Sequence, residues 1–173
     1  MTITGGLLTT PDTSAPLLQV STDVTATCTL SGVTVSAGSG ILMYVKDDSQ
    51  RSTSGATGNL ILDDGEYSGI VKYDTGYTAN VTVNSGAVWN LTADTSIGAL
   101  VNNGTINRNG YTLTTTSTSG SGTINETTGI DSVKSEEITV NSSFDLQGRR
   151  VNDNYKGIVI QEGKKIVRKY NQK

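Results

Sequence analysis

Acidic residues occur as two adjacent pairs in the first half of the chain, Asp47-Asp48 and Asp63-Asp64. Carboxylate oxygens are the ligands that Ca²⁺ prefers in proteins, so these four carboxylates would form a calcium site if the fold stacked them. Adjacent acids are also typical of polar turns, as in Asp63-Asp64-Gly65, because an Asp side chain accepts hydrogen bonds from nearby backbone. The turn interpretation is favoured, and calcium stays as the alternative.

Aromatic side chains offer a second kind of binding chemistry. A flat ring presents an apolar face on which a sugar can stack, and Tyr67, Tyr73, Tyr77 and Trp89 are candidates for such a glycan platform. Aromatic residues scattered through a β-rich chain also fill cores. The residue types alone leave both interpretations open.

Catalysis would have to rely on carboxylates and cations, because the chain has no histidine and a single cysteine, Cys28. A lone cysteine forms no internal disulfide, and the lack of histidine argues against zinc sites and histidine-based acid–base chemistry. Carboxylates gathered on one face would serve polysaccharide cleavage. The candidates are Asp47, Asp48, Asp63, Asp64, Glu66, Asp74, Lys46, Arg51 and Lys72. The segments between apolar runs are short for a catalytic groove, so we expect a protein that is not an enzyme and needs no cofactor.

Short β-branched runs must position these side chains. Val33-Thr34-Val35, Leu60-Ile61-Leu62, Val81-Thr82-Val83 and Thr105-Ile106-Asn107 recur with Gly and Asn between them. Their spacing of about 20 to 25 residues is typical of a solenoid coil. One coil cannot bury its own apolar face, whereas stacked coils build a continuous interior. The pattern predicts stacked β-strands, with Cys28 as a small buried side chain.

Two segments make the prediction more specific, residues 84–92 (NSGAVWNLT) and residues 100–113 (LVNNGTINRNGYTL). They resemble the right-handed parallel β-helices of bacterial adhesins and autotransporter passenger domains. The resemblance implies an all-β fold, with a short right-handed parallel β-helix over residues 1–127. It also implies a structural or adhesive function, although the fold includes polysaccharide lyases and glycoside hydrolases. An antiparallel sandwich is the rival fold, because Asn109-Gly110 is also typical of a hairpin turn.

The charge changes sign along the chain, which indicates two modules. Residues 1–127 hold ten acids and four bases, a net of −6, whereas residues 128–173 hold six acids and nine bases, a net of +3. Residues 114–129 are rich in Ser, Thr and Gly and would form a last loose coil and a linker. The predicted domains are therefore 1–127 and 128–173, the second a small antiparallel β module.

Three blocks in the basic module carry a second resemblance: residues 144–151 (FDLQGRRV), 156–160 (KGIVI) and 163–165 (GKK). They resemble the C-terminal sorting domain of the type IX secretion system of Bacteroidetes, except that Val159 replaces the family's tyrosine. The resemblance implies a sorting signal that contacts outer-membrane secretion machinery. Its residues would be Phe144, Asp145, Leu146, Gly148, Arg149, Val151, Gly157, Gly163, Lys164 and Lys165.

These observations together predict a secreted or cell-surface protein. No apolar stretch reaches the roughly 18 residues of a membrane span, and the acidity of residues 1–127 argues against nucleic-acid binding. Residues 1–6 are typical of the interior of a longer protein. We expect a structural, adhesin-like function, with host or environmental glycans as possible ligands. The alternatives are a glycan-binding module and the terminal fragment of a β-helix polysaccharide lyase or glycoside hydrolase.

Overall fold

A computed structural model describes residues 1–21, 23–47, 55–126, 143–152, 154–161 and 164–168. The chain divides into two compact units, Met1–Ile130 and Asp131–Lys173. The boundary predicted between residues 127 and 128 lies outside the described residues. Within the described ranges the regular structure is β-strand throughout, as the β-branched and Gly-rich sequence predicts.

Six successive coils make up the described part of the first unit, and each contributes one strand to a shared six-stranded sheet. The first three coils have three strands each: β1 (Thr2–Thr4), β2 (Leu7–Thr10), β3 (Leu18–Val20), β4 (Thr25–Ser31), β5 (Thr34–Ala37), β6 (Ile41–Val45), β7 (Thr57–Asp63), β8 (Gly65–Ser68) and β9 (Ile70–Tyr73). The next three coils have two strands each: β10 (Thr78–Val83), β11 (Ala87–Asn90), β12 (Thr95–Asn102), β13 (Thr105–Asn107), β14 (Leu113–Ser119) and β15 (Thr123–Asn125).

Strands of successive coils stack side by side in parallel sheets. The six-stranded sheet has the order β1-β4-β7-β10-β12-β14, a second sheet has the order β8-β11-β13-β15, and β2-β5 and β3-β6-β9 complete the earlier coils. Each strand pair described in this unit is parallel. This confirms the predicted parallel β-helix and contradicts the antiparallel sandwich. Asn109-Gly110 is a corner between strands of different sheets, with positive φ at both residues, and not a hairpin turn.

The core runs along the inside of the stacked coils. In β10 every second residue is buried, namely Ala79, Val81 and Val83, because successive side chains of a strand point to opposite faces. Inward residues align from coil to coil: Cys28 pairs with Leu60, Leu60 with Val81 and Val81 with Leu100. All four are buried, so Cys28 is the small apolar side chain that the sequence predicts.

Coil length varies more than the sequence predicts. Residues aligned in the six-stranded sheet are 27 and 32 positions apart in the first two coils, and 21, 19 and 18 apart in the later ones. The two shortest coils lack a third strand, so β9 is the last strand of its sheet. The buried hydroxyl of Thr95 takes the place of the missing strand, donating to the Val71 carbonyl at 2.6 Å and accepting from the Val71 N–H at 3.3 Å.

Polar side chains also stack between coils. The Asn107 side-chain amide donates to Asn90 Oδ1 at 2.7 Å, and the Asn125 amide donates to Asn107 Oδ1 at 2.8 Å. The Asn90 amide in turn donates to a carboxylate oxygen of Glu66 at 2.6 Å. This series, the Asn ladder, links four coils along the second sheet. It supplies side-chain hydrogen bonds parallel to those of the backbone.

Replacing Asn107 with alanine is expected to lower the free energy of unfolding by about 1–2 kcal/mol, because it removes two hydrogen bonds each worth about 0.5–1.5 kcal/mol. Asn125→Ala is the matched control, since it removes one bond at the end of the ladder and should cost roughly half as much. Urea unfolding followed by circular dichroism measures both. No measurable loss for either variant would show that the ladder does not stabilise the coils.

The second unit contains a small antiparallel sheet of the order β17-β16-β18-β19. Its strands are β16 (Ser143–Phe144), β17 (Arg150–Val151), β18 (Gly157–Gln161) and β19 (Lys164–Arg168). Val159 lies at the centre of this sheet and is fully buried. The sheet confirms the antiparallel β module that the sequence predicts at the C-terminal end.

Candidate functional site

The aromatic platform predicted from the sequence is wrong for most of its members. Trp89 and Tyr67 are 0% exposed, so neither ring face can meet a sugar. Tyr77 is buried at 8%, and Tyr73 is half-buried and packs against the core. The inward alternation of Ala87, Trp89 and Leu91 is the sequence feature that could have indicated this burial.

The Trp89 and Tyr67 side chains each satisfy backbone groups inside the β-helix. The Trp89 indole N–H donates to the carbonyl of Gly69 at 3.0 Å. The Tyr67 hydroxyl lies 2.8–3.1 Å from the carbonyl oxygens of Leu30, Asp63 and Asp64. Tyr67 therefore fixes the corner that joins β7 to β8. Both aromatic residues are structural parts of the coil.

Asp63 and Asp47, one member of each acidic pair, have different hydrogen-bond partners. Asp63 accepts hydrogen bonds from Ser31 and Asn84, both at 3.0 Å, and these bonds lower its pKa, the Asn84 amide most and the Ser31 hydroxyl next. Asp47 accepts from the Tyr77 hydroxyl at 3.0 Å. Among the described residues no group of three or more Asp, Glu, Cys or His side chains is arranged to hold a metal ion. Asp48 and Arg51 lie outside the described residues.

Asp74 belongs to a polar cluster on the outside of the β3-β6-β9 sheet. Its carboxylate accepts from the Tyr44 hydroxyl at 2.6 Å and from the Asp47 N–H at 3.0 Å. These two hydrogen bonds, with a smaller contribution from the charge of Lys46, lower the pKa of Asp74, and the same Asp74 contact raises the pKa of Tyr44. The Lys46 ammonium lies 5.9 Å from the Tyr44 ring centroid. The cluster holds Asp74 as a hydrogen-bonded carboxylate, which suits a structural role better than proton donation.

A cleft that the sequence did not predict opens between the second and third coils. The strands β5 and β8 do not pair with each other, and the space between them, the β5–β8 cleft, has a volume of about 340 Å³. Its lining is formed by Gly32, Val33, Thr34, Val35, Asp64, Gly65, Glu66 and Ser68. Two carboxylates therefore border this cleft. Asp64 lies at its corner with a φ of 42°, an uncommon backbone conformation for a residue other than glycine.

The predicted sorting residues divide into two structural groups, and the first group builds a turn. Asp145 is 3% exposed and accepts from the N–H groups of Gln147 and Arg149 at 3.0 and 2.9 Å. Its second carboxylate oxygen accepts two bonds from the Arg149 guanidinium at 2.8 Å. The Arg149 N–H contributes most to the lowered pKa of Asp145. Gly148, at a φ of 77°, completes this segment, which we name the Asp145 turn (residues 145–149).

The second group of predicted residues lies on the sheet or on the surface. Phe144 and Val151 are half-buried on β16 and β17, and Gly157 begins β18 with a φ of 136°. Leu146 is 62% exposed, and Lys164 and Lys165 are exposed at the start of β19. Gly163 lies outside the described residues. The sorting role of both groups stays a prediction.

Comparison with models of protein families, with curated proteins and with solved structures gives no match for this chain. Among the described residues there is no helix of the length and apolar character required to cross a membrane. Function must therefore be inferred from the arrangement of the side chains themselves.

Proposed function

We propose that this chain is a structural, adhesin-like protein that is exported to the cell surface or secreted, with a β-helix as its extended body and its C-terminal unit as the sorting signal. The observation that carries the proposal is the Asp145 turn. It shows a physical use for the Asp, Gly and Arg of the sorting-like motif, namely to build the turn between β16 and β17.

The β-helix supports the structural part of the proposal. Its coils are joined by backbone ladders, by a continuous apolar interior and by the Asn ladder. Such a solenoid is extended and depends on neighbour-to-neighbour contacts, which suits a stalk, a spacer or an adhesive surface. The outward side chains of β14 are mainly Thr and Ser, so this strand presents hydroxyl groups to the solvent.

The C-terminal unit supports the sorting part. Once Asp145, Gly148 and Arg149 are committed to the turn, the exposed members of the motif remain available to a partner. These are Leu146, Lys164 and Lys165, an apolar and two basic side chains. An exposed surface of this composition suits contact with an acidic membrane surface or with export machinery.

The enzyme alternative has less support. Hydrogen bonds from donors of adjacent coils lower the pKa of Asp63 and of Asp74, so neither carboxyl group suits the role of general acid. The glycan-binding alternative loses Trp89 and Tyr67 as stacking surfaces. The β5–β8 cleft is a different location for such a function and is considered separately below.

Export is tested by attaching a fluorescent reporter and an ordinary export signal to the N-terminus of the whole chain. The fusion is expressed in a Bacteroidetes strain that has the type IX system, with residues 128–173 present or deleted. We expect reporter that is accessible to external protease only when residues 128–173 are present. Protection of the reporter in the periplasm with both forms would contradict the sorting function.

A strain without the type IX machinery provides the control for the route. Surface reporter in that strain as well would show that export does not use this system, even if residues 128–173 were required. The structural role is independent of this result, because the β-helix folds from the contacts of the first unit.

A further inference from the structure

No backbone ladder joins β5 to β8, so the edges of these two strands face each other unpaired. Among the described strands, β5 pairs with β2 alone and β8 with β11 alone, so each has one edge without a neighbouring strand. Every second residue of such an edge directs its backbone N–H and C=O into the space beside it. The β5–β8 cleft is therefore bordered on both sides by backbone donors and acceptors.

The width of the cleft limits what it can hold. β5 and β8 approach within 8 Å of each other, measured between Cα atoms. Adding a strand between them would require about 9.6 Å, which is two strand spacings of about 4.8 Å. A polypeptide strand is therefore too wide for the gap as it stands. The volume of about 340 Å³ lies at the lower end of the range of about 300–1,000 Å³ for small-molecule sites.

The side chains of the cleft are matched to hydroxyl groups. Asp64 and Glu66 accept hydrogen bonds only, whereas Thr34 and Ser68 can both donate and accept. Glu66 is oriented by the Asn90 amide, which lies 2.6 Å from one of its oxygens. The two carboxylates repel anions and leave the backbone donors for neutral groups.

An apolar surface and a fixed corner complete the site. Val33 is 3% exposed and Val35 is half-buried, and both line the cleft beside the polar groups. The Tyr67 hydroxyl contacts the carbonyl oxygens of Asp63 and Asp64 and so holds the corner in place. A rigid cleft of this kind loses little conformational entropy when a ligand binds.

We infer that the β5–β8 cleft is a binding site for a neutral saccharide, with one sugar unit at its open side that places a hydroxyl group between the two strand edges and bonds through others to Asp64 and Glu66. A sugar hydroxyl both donates and accepts, as the mixed backbone edges require, and the C–H face of the ring meets the half-buried Val35. This function goes beyond the structural role proposed above, because export and stability of the chain do not depend on it.

The test follows backbone amide NMR signals of the whole chain during titration with methyl glycosides of glucose, galactose, mannose and N-acetylglucosamine. At least one neutral glycoside is expected to shift the amides of Thr34, Val35 and Glu66 in a saturable way, with a Kd on the order of millimolar. Glucuronate and galacturonate are expected to bind at least about tenfold more weakly, because Asp64 and Glu66 repel them. Absence of saturable shifts at these amides for all four neutral probes would overturn the inference.

Two substitutions on one strand separate binding from general disturbance. Thr34→Phe places a ring in the cleft and should weaken binding at least about tenfold. Ser36→Phe is the matched control, because Ser36 is exposed on the same face of β5 but does not line the cleft, and it should bind as the unchanged chain does. Glu66→Gln keeps the size of the side chain but removes its charge. It should therefore bring the Kd of the anionic sugars closer to the Kd of their neutral counterparts. Equal binding by the Thr34 and Ser36 variants, each shown by circular dichroism to be folded, would exclude this cleft.

Discussion

Replacing Trp89 with alanine is expected to lower the free energy of unfolding of the β-helix by about 3–5 kcal/mol, which is the usual cost of truncating a buried tryptophan. Trp89 is 0% exposed and lies in register between Tyr67 on β8 and Ile106 on β13, both also fully buried. Truncation leaves a cavity between these coils. It also leaves the Gly69 carbonyl without the indole donor.

Urea unfolding followed by circular dichroism measures this effect, since Trp89 is the only tryptophan and its fluorescence is lost in the variant. Trp89→Phe separates the two causes, because phenylalanine retains most of the volume and removes the hydrogen bond, which should cost about 1–3 kcal/mol. Val88→Ala on the same strand is the control for a half-buried position and should cost less than about 1.5 kcal/mol. A loss below about 1 kcal/mol for Trp89→Ala would indicate that neighbouring coils collapse into the cavity.

The size of this effect follows from how a solenoid is stabilised. Each coil contacts only its neighbours, so a cavity between two coils weakens the interface on which both depend. The third and fourth coils meet at Trp89 through β8 and β11, and the fourth and fifth through β11 and β13. A single fully buried side chain thus contributes to two coil interfaces, whereas Val88, which also lies in register with both neighbouring strands, is only half-buried and contributes less to each.

Much of the fold could be predicted from the chain itself. Runs such as Val81-Thr82-Val83 alternate inward and outward residues, and corners such as Asn109-Gly110 adopt the positive φ that Asn and Gly tolerate. Coil length could not be predicted, because it depends on the connections between strands as well as on a third strand: the three-stranded coils have spacings of 27, 32 and 21 residues. The hydroxyl of Thr95 ends the β3-β6-β9 sheet through a contact with Val71, 24 residues earlier in the chain.

The candidate sites were harder to predict from the sequence than the fold. Residue type indicates that Trp89 and Tyr67 can stack on sugars, but only the register of β8, β11 and β13 places them in the core. The β5–β8 cleft depends on the relative position of two strands that do not pair, and no local pattern encodes a missing ladder. Asp63-Asp64-Gly65 was predicted as a turn; in the structure Asp64 is the corner between β7 and β8.

Replacing Asp145 with alanine is expected to abolish surface exposure of the reporter fusion to the level of the chain that lacks residues 128–173. The Asp145 carboxylate is the common acceptor for the Gln147 and Arg149 N–H groups and for the Arg149 guanidinium. Alanine leaves two backbone donors and one cation without their partner. The Asp145 turn then lacks what holds β16 next to β17, and the small antiparallel sheet loses its order.

Two control variants distinguish a folding defect from lost recognition. Loss of the Asp145 turn should disturb folding, whereas replacement of exposed side chains should leave folding intact. Leu146→Ser alters an exposed side chain of the same turn and should preserve the secondary structure of the second unit. Replacing Lys164 and Lys165 together with glutamine should also preserve it, because both side chains are exposed, while surface exposure of the reporter falls if machinery recognises the charge. Because the Asp145 carboxylate acts inside the turn, its loss should disturb both the circular dichroism and the export. Normal export of a chain with Asp145→Ala would show that sorting needs neither the Asp145 carboxylate nor the turn that it holds.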